Sequence, residues 1–255
     1  MSAKMMTVSV NSQKKLADGV YSMWLSVGTM ADEARPGQFI SVYSSDSSRL
    51  LPRPISICEV DTEFRALRIV YRVVGEGTKE FSKLRAGQKV RIMGPLGNGF
   101  YMKDKKAVLV AGGIGIPPML ELAKQLDCEK TIVVGYRDSE TFLSGELEQY
   151  GDVVIATEDG SVGTAGNVLD AIRENNVEGD VIYSCGPTPM LKAIKAYAEE
   201  KGIECQVSLE EKMACGIGAC LACVCKSKEK DAHTNVHNKR ICKDGPVFYA
   251  GEVEL

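Results

Sequence analysis

The sequence predicts a β plus α/β protein in three parts: an N-terminal antiparallel β-barrel over residues 1–100, a central parallel-sheet α/β domain over 101–209, and a cysteine-rich module over 210–255. Three observations predict it. Short strand-like runs separated by turn residues fill the first hundred positions, the pattern of a small closed barrel. From Lys106 onward, continuous β-branched runs alternate with stretches of helical periodicity, the mark of a parallel sheet covered by helices. Five of the nine cysteines then crowd between Cys215 and Cys242.

In the barrel, strands are expected at 7–9, 20–27, 38–43, 55–59, 66–73 and 89–93. The glycine-rich stretch at 94–99, containing Pro95, closes this region. In the α/β part, strands are expected at 107–111, 131–136, 153–157 and 181–184, short and apolar as strands buried on both faces should be. Helices are expected at 118–126, 140–150, 165–175 and 189–201. The segment after Leu209 fits neither pattern and holds too few large apolar residues to build a core by itself.

Composition narrows the function classes. At 255 residues, 44% hydrophobic and 25% charged, the chain is an ordinary globular protein. A net charge of −3 without a dense basic tract gives a polyanion little to hold, so nucleic acid is not an expected partner. No apolar run approaches the roughly 20 residues that span a bilayer, and residues 1–10 lack the pattern of a secretory signal. A cytoplasmic location without membrane insertion is expected. An odd cysteine count, concentrated in one segment, favours metal or cluster ligation over a disulfide framework.

The most specific signal is Cys215-x4-Cys220-x2-Cys223 with Cys242 after 18 intervening residues. This is the plant-type ferredoxin spacing, in which four thiolates hold a [2Fe-2S] cluster. Gly216 and Gly218 permit the tight loop that turns amides toward an anionic group. A zinc site is the alternative, though zinc favours paired C-x2-C units farther apart. Cys225 is a spare thiol two residues beyond Cys223.

A second signal is Arg53-Pro54-Ile55-Ser56 on the barrel, where an Arg suits a pyrophosphate and a Ser suits a flavin edge; a surface Arg before a rigid strand entry reads the same way. Gly75 to Thr78 strengthens it, since Thr78 opens a helix-like stretch at 78–84 whose N-terminus attracts an anion. The third signal is Gly112-Gly113-Ile114-Gly115, after a strand and before a helix, with Cys185-Gly186-Pro187 at another strand's C-terminal end, where ligands bind in open α/β sheets. Cys185 is either a nicotinamide contact or a buried structural thiol. Glu158 and Asp159 suit a free ribose 2′-hydroxyl, favouring NAD over NADP, or are solvated loop acids. His233 and His237 read as solvated loop residues.

Taken together, these motifs resemble the ferredoxin-reductase-like flavoproteins, and within them the electron-transfer subunits of NAD-dependent, class 1B dihydroorotate dehydrogenases. The resemblance spans essentially the whole chain and is most specific from Met213 to Lys226 and from Cys242 to Phe248. It implies an FAD-binding barrel, an NAD-binding domain and a [2Fe-2S] module. Arg53, Pro54, Ile55 and Ser56 match the family's flavin motif, Val70-Tyr71-Arg72 its next flavin-contacting strand, and Gly77-Thr78 its pyrophosphate turn. Gly112, Gly113, Gly115, Cys185, Gly186 and Pro187 match its nicotinamide-side motifs. Ile55 stands where the wider family often has an aromatic, and the stretch between Cys223 and Cys242 is longer than expected. The resemblance further implies a partner subunit that oxidises dihydroorotate on its own FMN, in a heterotetramer of two of each. Electrons then pass through the cluster and FAD to NAD⁺, in pyrimidine biosynthesis. Alternatives are a subunit of an NAD(P)H-ferredoxin or sulfide-linked reductase and a redox-sensing regulatory subunit. No acid-base pair for the dihydroorotate chemistry is evident, so no catalytic residue is assigned.

Overall fold

A computed structural model describes residues 3–230 and 235–255. Six strands, β1 (Lys4–Ala17), β2 (Val20–Ser26), β3 (Phe39–Tyr43), β4 (Arg53–Asp61), β5 (Ala66–Arg72) and β6 (Lys89–Leu96), close into an antiparallel barrel in the order β1-β2-β5-β4-β3-β6. Alternate residues such as Met23, Leu25, Ile40, Val42, Ile57, Leu67, Ile69 and Ile92 fill its interior with no exposed surface. Two short helices, α1 (Met30–Glu33) and α2 (Glu76–Phe81), sit at its ends.

β1 is longer than the 7–9 expected. Its first half pairs with β6 and its second with β2, with bulges after Val10 and Lys15. The polar run from Gln13 to Lys15 hides this strand from a hydrophobicity reading, because cross-strand pairing rather than burial keeps it extended.

The second unit is a seven-stranded sheet built from β7 (Ala107–Gly112), β8 (Lys130–Tyr136), β9 (Asp152–Thr157), β10 (Thr164–Ala165), β11 (Val181–Cys185), β12 (Glu204–Ser208) and, after two tail strands, β15 (Val247–Tyr249). Its order is β10-β9-β8-β7-β11-β12-β15. The first six strands are parallel and β15 closes the edge antiparallel to β12. Helices α3 (Pro117–Gln125), α5 (Val168–Glu174) and α6 (Thr188–Lys201) are within a residue or a few of expectation. The helix expected at 140–150 is reduced to the single turn α4 (Ser144–Leu147), entered through Leu143 in the left-handed region at φ 68°.

The cysteine-rich tail forms the small ladder β13 (Val224–Lys226) with β14 (Asn238–Arg240) and supplies β15. It has no core of its own, as its composition predicts. Met213, Cys223, Ile241, Cys242, Phe248 and Val253 instead pack in one buried cluster with Phe39, Met93 and Leu96 of the barrel and Val110, Val133 and Val207 of the sheet. On the sheet's other face, α3 meets the outside of the barrel, burying Cys58, Val70, Leu109 and Leu120 together.

That second contact carries a polar clamp. Glu121 on α3, 2% exposed, accepts from the Val60 amide at 2.7 Å and from Gln125, while Lys124 Nζ donates to the Val60 carbonyl at 2.9 Å. Burial raises the Glu121 carboxyl above its ordinary 4.5, against the lowering effect of the Val60 amide. A carboxyl with a raised folded pKa adds stability that is complete below the unfolded value and is lost as pH rises through the folded one. Glu121→Ala is expected to cost about 1–3 kcal/mol in denaturant unfolding by orphaning the buried amide. Glu121→Gln should keep the acceptor and flatten the fall in stability from pH 4 upward; an unchanged pH profile would show that the carboxyl is not strained.

Candidate functional site

The strand order reverses between β7 and β11, which lie side by side with Ala111 opposite Cys185. Loops leaving adjacent strand ends in opposite directions open a crevice there. Gly112 ends β7, a single 3₁₀ turn spans Gly113–Gly115, and Pro117 starts α3. A Cβ on Gly115 would lie 2.4 Å from the Cys185 carbonyl oxygen, and one on Gly112 would lie 2.8 Å from Met190 Sδ. These glycines let the two loops touch backbone to backbone. The result is a cleft of about 410 Å³ with Gly112, Gly113, Gly115, Gly186 and Pro187 in its wall.

Cys185 is not in that wall. It is 1% exposed, and burial first of all pushes its thiol up to about 12, with Glu210 adding and Ser208 opposing. The thiol is therefore neutral and stands behind the cleft. Glu158 borders the cleft together with Arg137, whereas Asp159 is occupied by Ser161, whose hydroxyl and amide hold its carboxyl below the ordinary carboxylate range.

A second cleft, of about 520 Å³, runs across β4 and β5 of the barrel. Strand alternation sorts the expected flavin residues. Pro54, Ser56, Val70 and Arg72 lie on the cleft side. Ile55 and Tyr71 also border the cleft but are buried with the barrel core, where Tyr71 Oη donates to Gln13 Oε1 at 3.0 Å and its ring meets Phe81 edge-on. Burial raises the Tyr71 phenol well above its ordinary value. Arg53 lies over Gly77, where a Cβ would fall 2.6 Å from Arg53 Nε, and it hydrogen-bonds the Leu51 carbonyl. α2 starts at Glu76, two residues before the expected Thr78. The reason is local: Thr78 Oγ1 accepts from the Val74 and Gly75 amides at 3.0 and 3.2 Å and donates to the Gly75 carbonyl. Thr78 thus holds the glycine turn in shape.

Arg72, Ile114 and Glu210 line both clefts, so the two are continuous. The far wall of the barrel cleft comes from residues 208–213 and Pro246. The sequence reading gives none of these residues as cleft lining, because β12 is absent from it. The signal was present: Ile203 to Leu209 alternates polar and apolar residues and follows a helix in a βα series. Glu210 faces the junction, and burial raises its carboxyl above the ordinary carboxylate range.

The thiol loop packs on the barrel. Gly216, at φ 72°, sits where a Cβ would meet Ser41 Oγ at 3.0 Å and Leu96 at 3.3 Å. The Ile217 and Ala219 amides point at Cys215 Sγ at 3.5 and 3.3 Å, the Gly218 amide at Cys242 Sγ at 3.1 Å, and the Cys242 amide at Cys223 Sγ at 3.4 Å. The thiols fall into pairs, Cys215 with Cys220 and Cys223 with Cys242. The first pair lies toward solvent, with Cys220 exposed; the second is buried. Burial works against the Cys215 thiolate, but the amides and Cys220 outweigh it and bring the thiol down to about 6. Cys242 is pushed up to about 12 by burial and by Cys223. Among the described residues, no group of three or more His, Cys, Asp or Glu side chains is arranged to hold a single metal ion. Ser41 Oγ is fully buried beside the loop and has no hydrogen-bond partner. Four thiols in two pairs, amides aimed at sulfur and a spare hydroxyl donor fit an anionic sulfur-rich cluster. Cys225 lies in the β13–β14 ladder opposite Lys239 and packs, partly buried, against the cluster that holds Cys223 and Cys242. His233 lies outside the described residues, and exposed His237 places Nδ1 2.9 Å from the Lys228 carbonyl oxygen.

Residues 210–254 match the family described as the iron-sulfur cluster binding domain of dihydroorotate dehydrogenase B. The dihydroorotate dehydrogenase B (NAD(+)) electron transfer subunit of Fusobacterium nucleatum subsp. nucleatum is 44% identical over 261 residues, covering 97% of each chain. That of Listeria innocua serovar 6a is 45% identical, covering 97% of this chain and 98% of the relative. This chain belongs to the dihydroorotate dehydrogenase B electron-transfer subunit family. Outside it, the family fold is shared with a solved NADH-dependent reduced ferredoxin-NADP oxidoreductase, 29% identical with a TM-score of 0.87 over 97% of this chain and 89% of that one. A flavohemoglobin from Malassezia yamatoensis, at 22% identity and a TM-score of 0.65 over 78% of this chain and 57% of that one, shares the fold alone.

For this family member the glycine contact at Gly115 tests whether this cleft takes a nucleotide. Gly115→Ala forces a methyl group into backbone atoms, a misfit worth about 1–3 kcal/mol. It is expected to abolish flavin bleaching by NADH while leaving chemical reduction by dithionite intact; normal bleaching would show that the two loops need not touch.

Proposed function

We infer that the chain is the electron-transfer subunit of an NAD-dependent dihydroorotate dehydrogenase, passing electrons from a catalytic partner through [2Fe-2S] and FAD to NAD⁺. The observation that carries this reading is a shared wall. Phe39, Leu209 and Met213 line the barrel cleft and also pack in the buried cluster with Cys223 and Cys242. A redox centre on the inner thiol pair would therefore stand directly behind a dinucleotide in the cleft.

Each part has its residues. Residues 1–100 would hold FAD, with Arg53 on the pyrophosphate beside Gly77, the turn shaped by Thr78, and Pro54, Ser56, Val70 and Arg72 along the ring. Residues 101–209 would hold NAD over Gly112, Gly113, Gly115, Gly186 and Pro187, where freed amides and a helix start favour phosphate. Residues 210–255 would hold the cluster through Cys215, Cys220, Cys223 and Cys242. When bound, the flavin supplies the conversion between two-electron hydride exchange and one-electron steps. The protein's task is alignment: the continuous clefts bring the nicotinamide end of one site to the ring end of the other at Arg72, Ile114 and Glu210. The partner is taken to carry FMN in an assembly of two copies of each subunit, in the cytoplasm. Among the described residues no helix is long and apolar enough to cross a membrane.

Anaerobically purified protein should show flavin and [2Fe-2S] absorption bleached by NADH, and adding the catalytic subunit should produce dihydroorotate-dependent NAD⁺ reduction. A flavin-free protein, or one bearing only zinc, would overturn the reading. The likeness to the ferredoxin-NADP oxidoreductase supports a second reading as a ferredoxin-linked reductase subunit, which co-purification of a ferredoxin would favour.

Two variants separate the sites. Cys220→Ala is expected to remove the cluster's absorption and paramagnetic signal while NADH still bleaches the flavin; loss of flavin as well would make the tail structural to the barrel. Glu158→Arg replaces a carboxylate at the nucleotide cleft with a cation. It is expected to raise kcat/KM for NADPH relative to NADH by about tenfold or more, a shift of about 1.4 kcal/mol; an unchanged ratio would place the adenosine ribose elsewhere.

A further inference from the structure

The clefts described so far leave one large cavity unused. It has a volume of about 450 Å³ and lies between the end of the barrel and the thiol loop, bounded by Arg35, Gln38, Asn98, Ile217 and Lys243. Three chain segments are locked together to make it. A Cβ on Gly99 would strike the Pro36 carbonyl oxygen at 2.2 Å, and one on Gly97 would meet Pro246 and the Gly245 carbonyl. Gln38 Nε2 donates to the Gly97 carbonyl at 2.7 Å, and Asn98 Nδ2 donates to the Asp244 and Lys243 carbonyls at 3.0 and 3.3 Å. The stem of Lys243 lies against Gly218 in the thiol loop itself.

The charge in this cavity is one-sided. Arg35 and Lys243 line it and no carboxylate does. Of the acids close by in sequence, Glu33 pairs with Lys4 and Asp244 with Arg240 through two guanidinium contacts at 3.0 Å, while exposed Asp32 lies outside the cavity wall. Arg35 and Lys243 form no ion pair among the described residues, although the chain as a whole is acidic at −3. From Lys212 to Lys243 inclusive the sequence carries seven Lys and Arg against two acidic residues, and the acids that balance them lie at 210–211, 244, 252 and 254. Next to the cavity stand exposed apolar side chains of the same loop, Ile217 at 50% and Leu221 at 44%, with the exposed Cys220 between them. An apolar centre beside an uncompensated polar rim is the anatomy of a protein interface. Electrons arriving from a partner would reach the thiols on this side, where Cys220 is exposed and Cys242 borders the cavity.

Resting on the proposed function, we propose that this cavity is the docking seat for a carboxylate-bearing element of the catalytic subunit, with Arg35 and Lys243 as its charge partners and Ile217 and Leu221 as the apolar contact beside it. Opposite charge across the seat fixes register and accelerates encounter. It brings the partner's redox centre to the loop's exposed edge and leaves the nucleotide clefts open.

The test measures binding of the flavin- and cluster-loaded protein to the purified catalytic subunit across a salt series. Arg35→Gln and Lys243→Gln should each weaken association about tenfold and reduce its dependence on salt, and the doubly reversed R35E/K243E should weaken it about a hundredfold or more. Lys83→Gln, an equal change of net charge on the barrel, should bind within about twofold of the parent. NADH-driven reduction of ferricyanide by the isolated subunit should be unchanged in all of them, and Arg35→Gln decides the matter if a change at Lys243 lowers cluster absorption. If the parent binds and R35E/K243E binds equally well, the seat is refuted while the partner stands. If the parent fails to associate with the catalytic subunit, the partner reading and the seat fall together.

Discussion

The thiol loop cannot fold alone, and most of the architecture follows from that constraint. Its buried apolar residues are few, and they are placed against something larger. Met213 and Phe248 enter the core shared with barrel and sheet, Gly216 rests on Ser41 and Leu96, and β15 completes the sheet edge. Burial of this surface drives the tail onto the body of the protein. The same packing sets the separation between the inner thiol pair and the barrel cleft. Stability and electron-transfer geometry are therefore one problem here, because both depend on how closely Phe39, Leu209 and Met213 are packed.

The nucleotide clefts obey a related rule. Their walls are backbone, and their width depends on side chains that are missing. Gly115 against Cys185, Gly77 under Arg53 and Gly112 beside Met190 are places where a single methyl group would close the space. Titrating groups stand at the margins: Cys185 is neutral behind the wall, and Glu210 sits at the junction with its carboxyl shifted upward. Such a site works by holding two planar groups in register, which agrees with the absence of an acid-base pair from the sequence motifs.

Charge is arranged by region. The clefts for dinucleotides carry Arg53 and Arg72 where phosphate and ring are expected, and Glu158 where a ribose is expected. In the cavity beside the thiol loop, Arg35 and Lys243 stand without a carboxylate in the wall.

Much of this was legible in the amino acids alone. The spacing of Cys215, Cys220, Cys223 and Cys242, the Arg53 motif and the glycine runs after β7 and β11 depend on local backbone chemistry, so they can be read in one dimension. Strand alternation was also legible in principle, and it turns Ile55 and Tyr71 inward while their neighbours face the cleft. What the sequence could not supply were elements held by distant partners. β1 stays extended through cross-strand bonds despite its lysines, β12 and β15 exist because the sheet edge needs them, and residues 208–213 become a cleft wall only once β12 is in place. The meeting of Arg35 with Lys243, 208 positions apart, was likewise decided by tertiary structure, because long-range packing leaves no periodic trace in the chain.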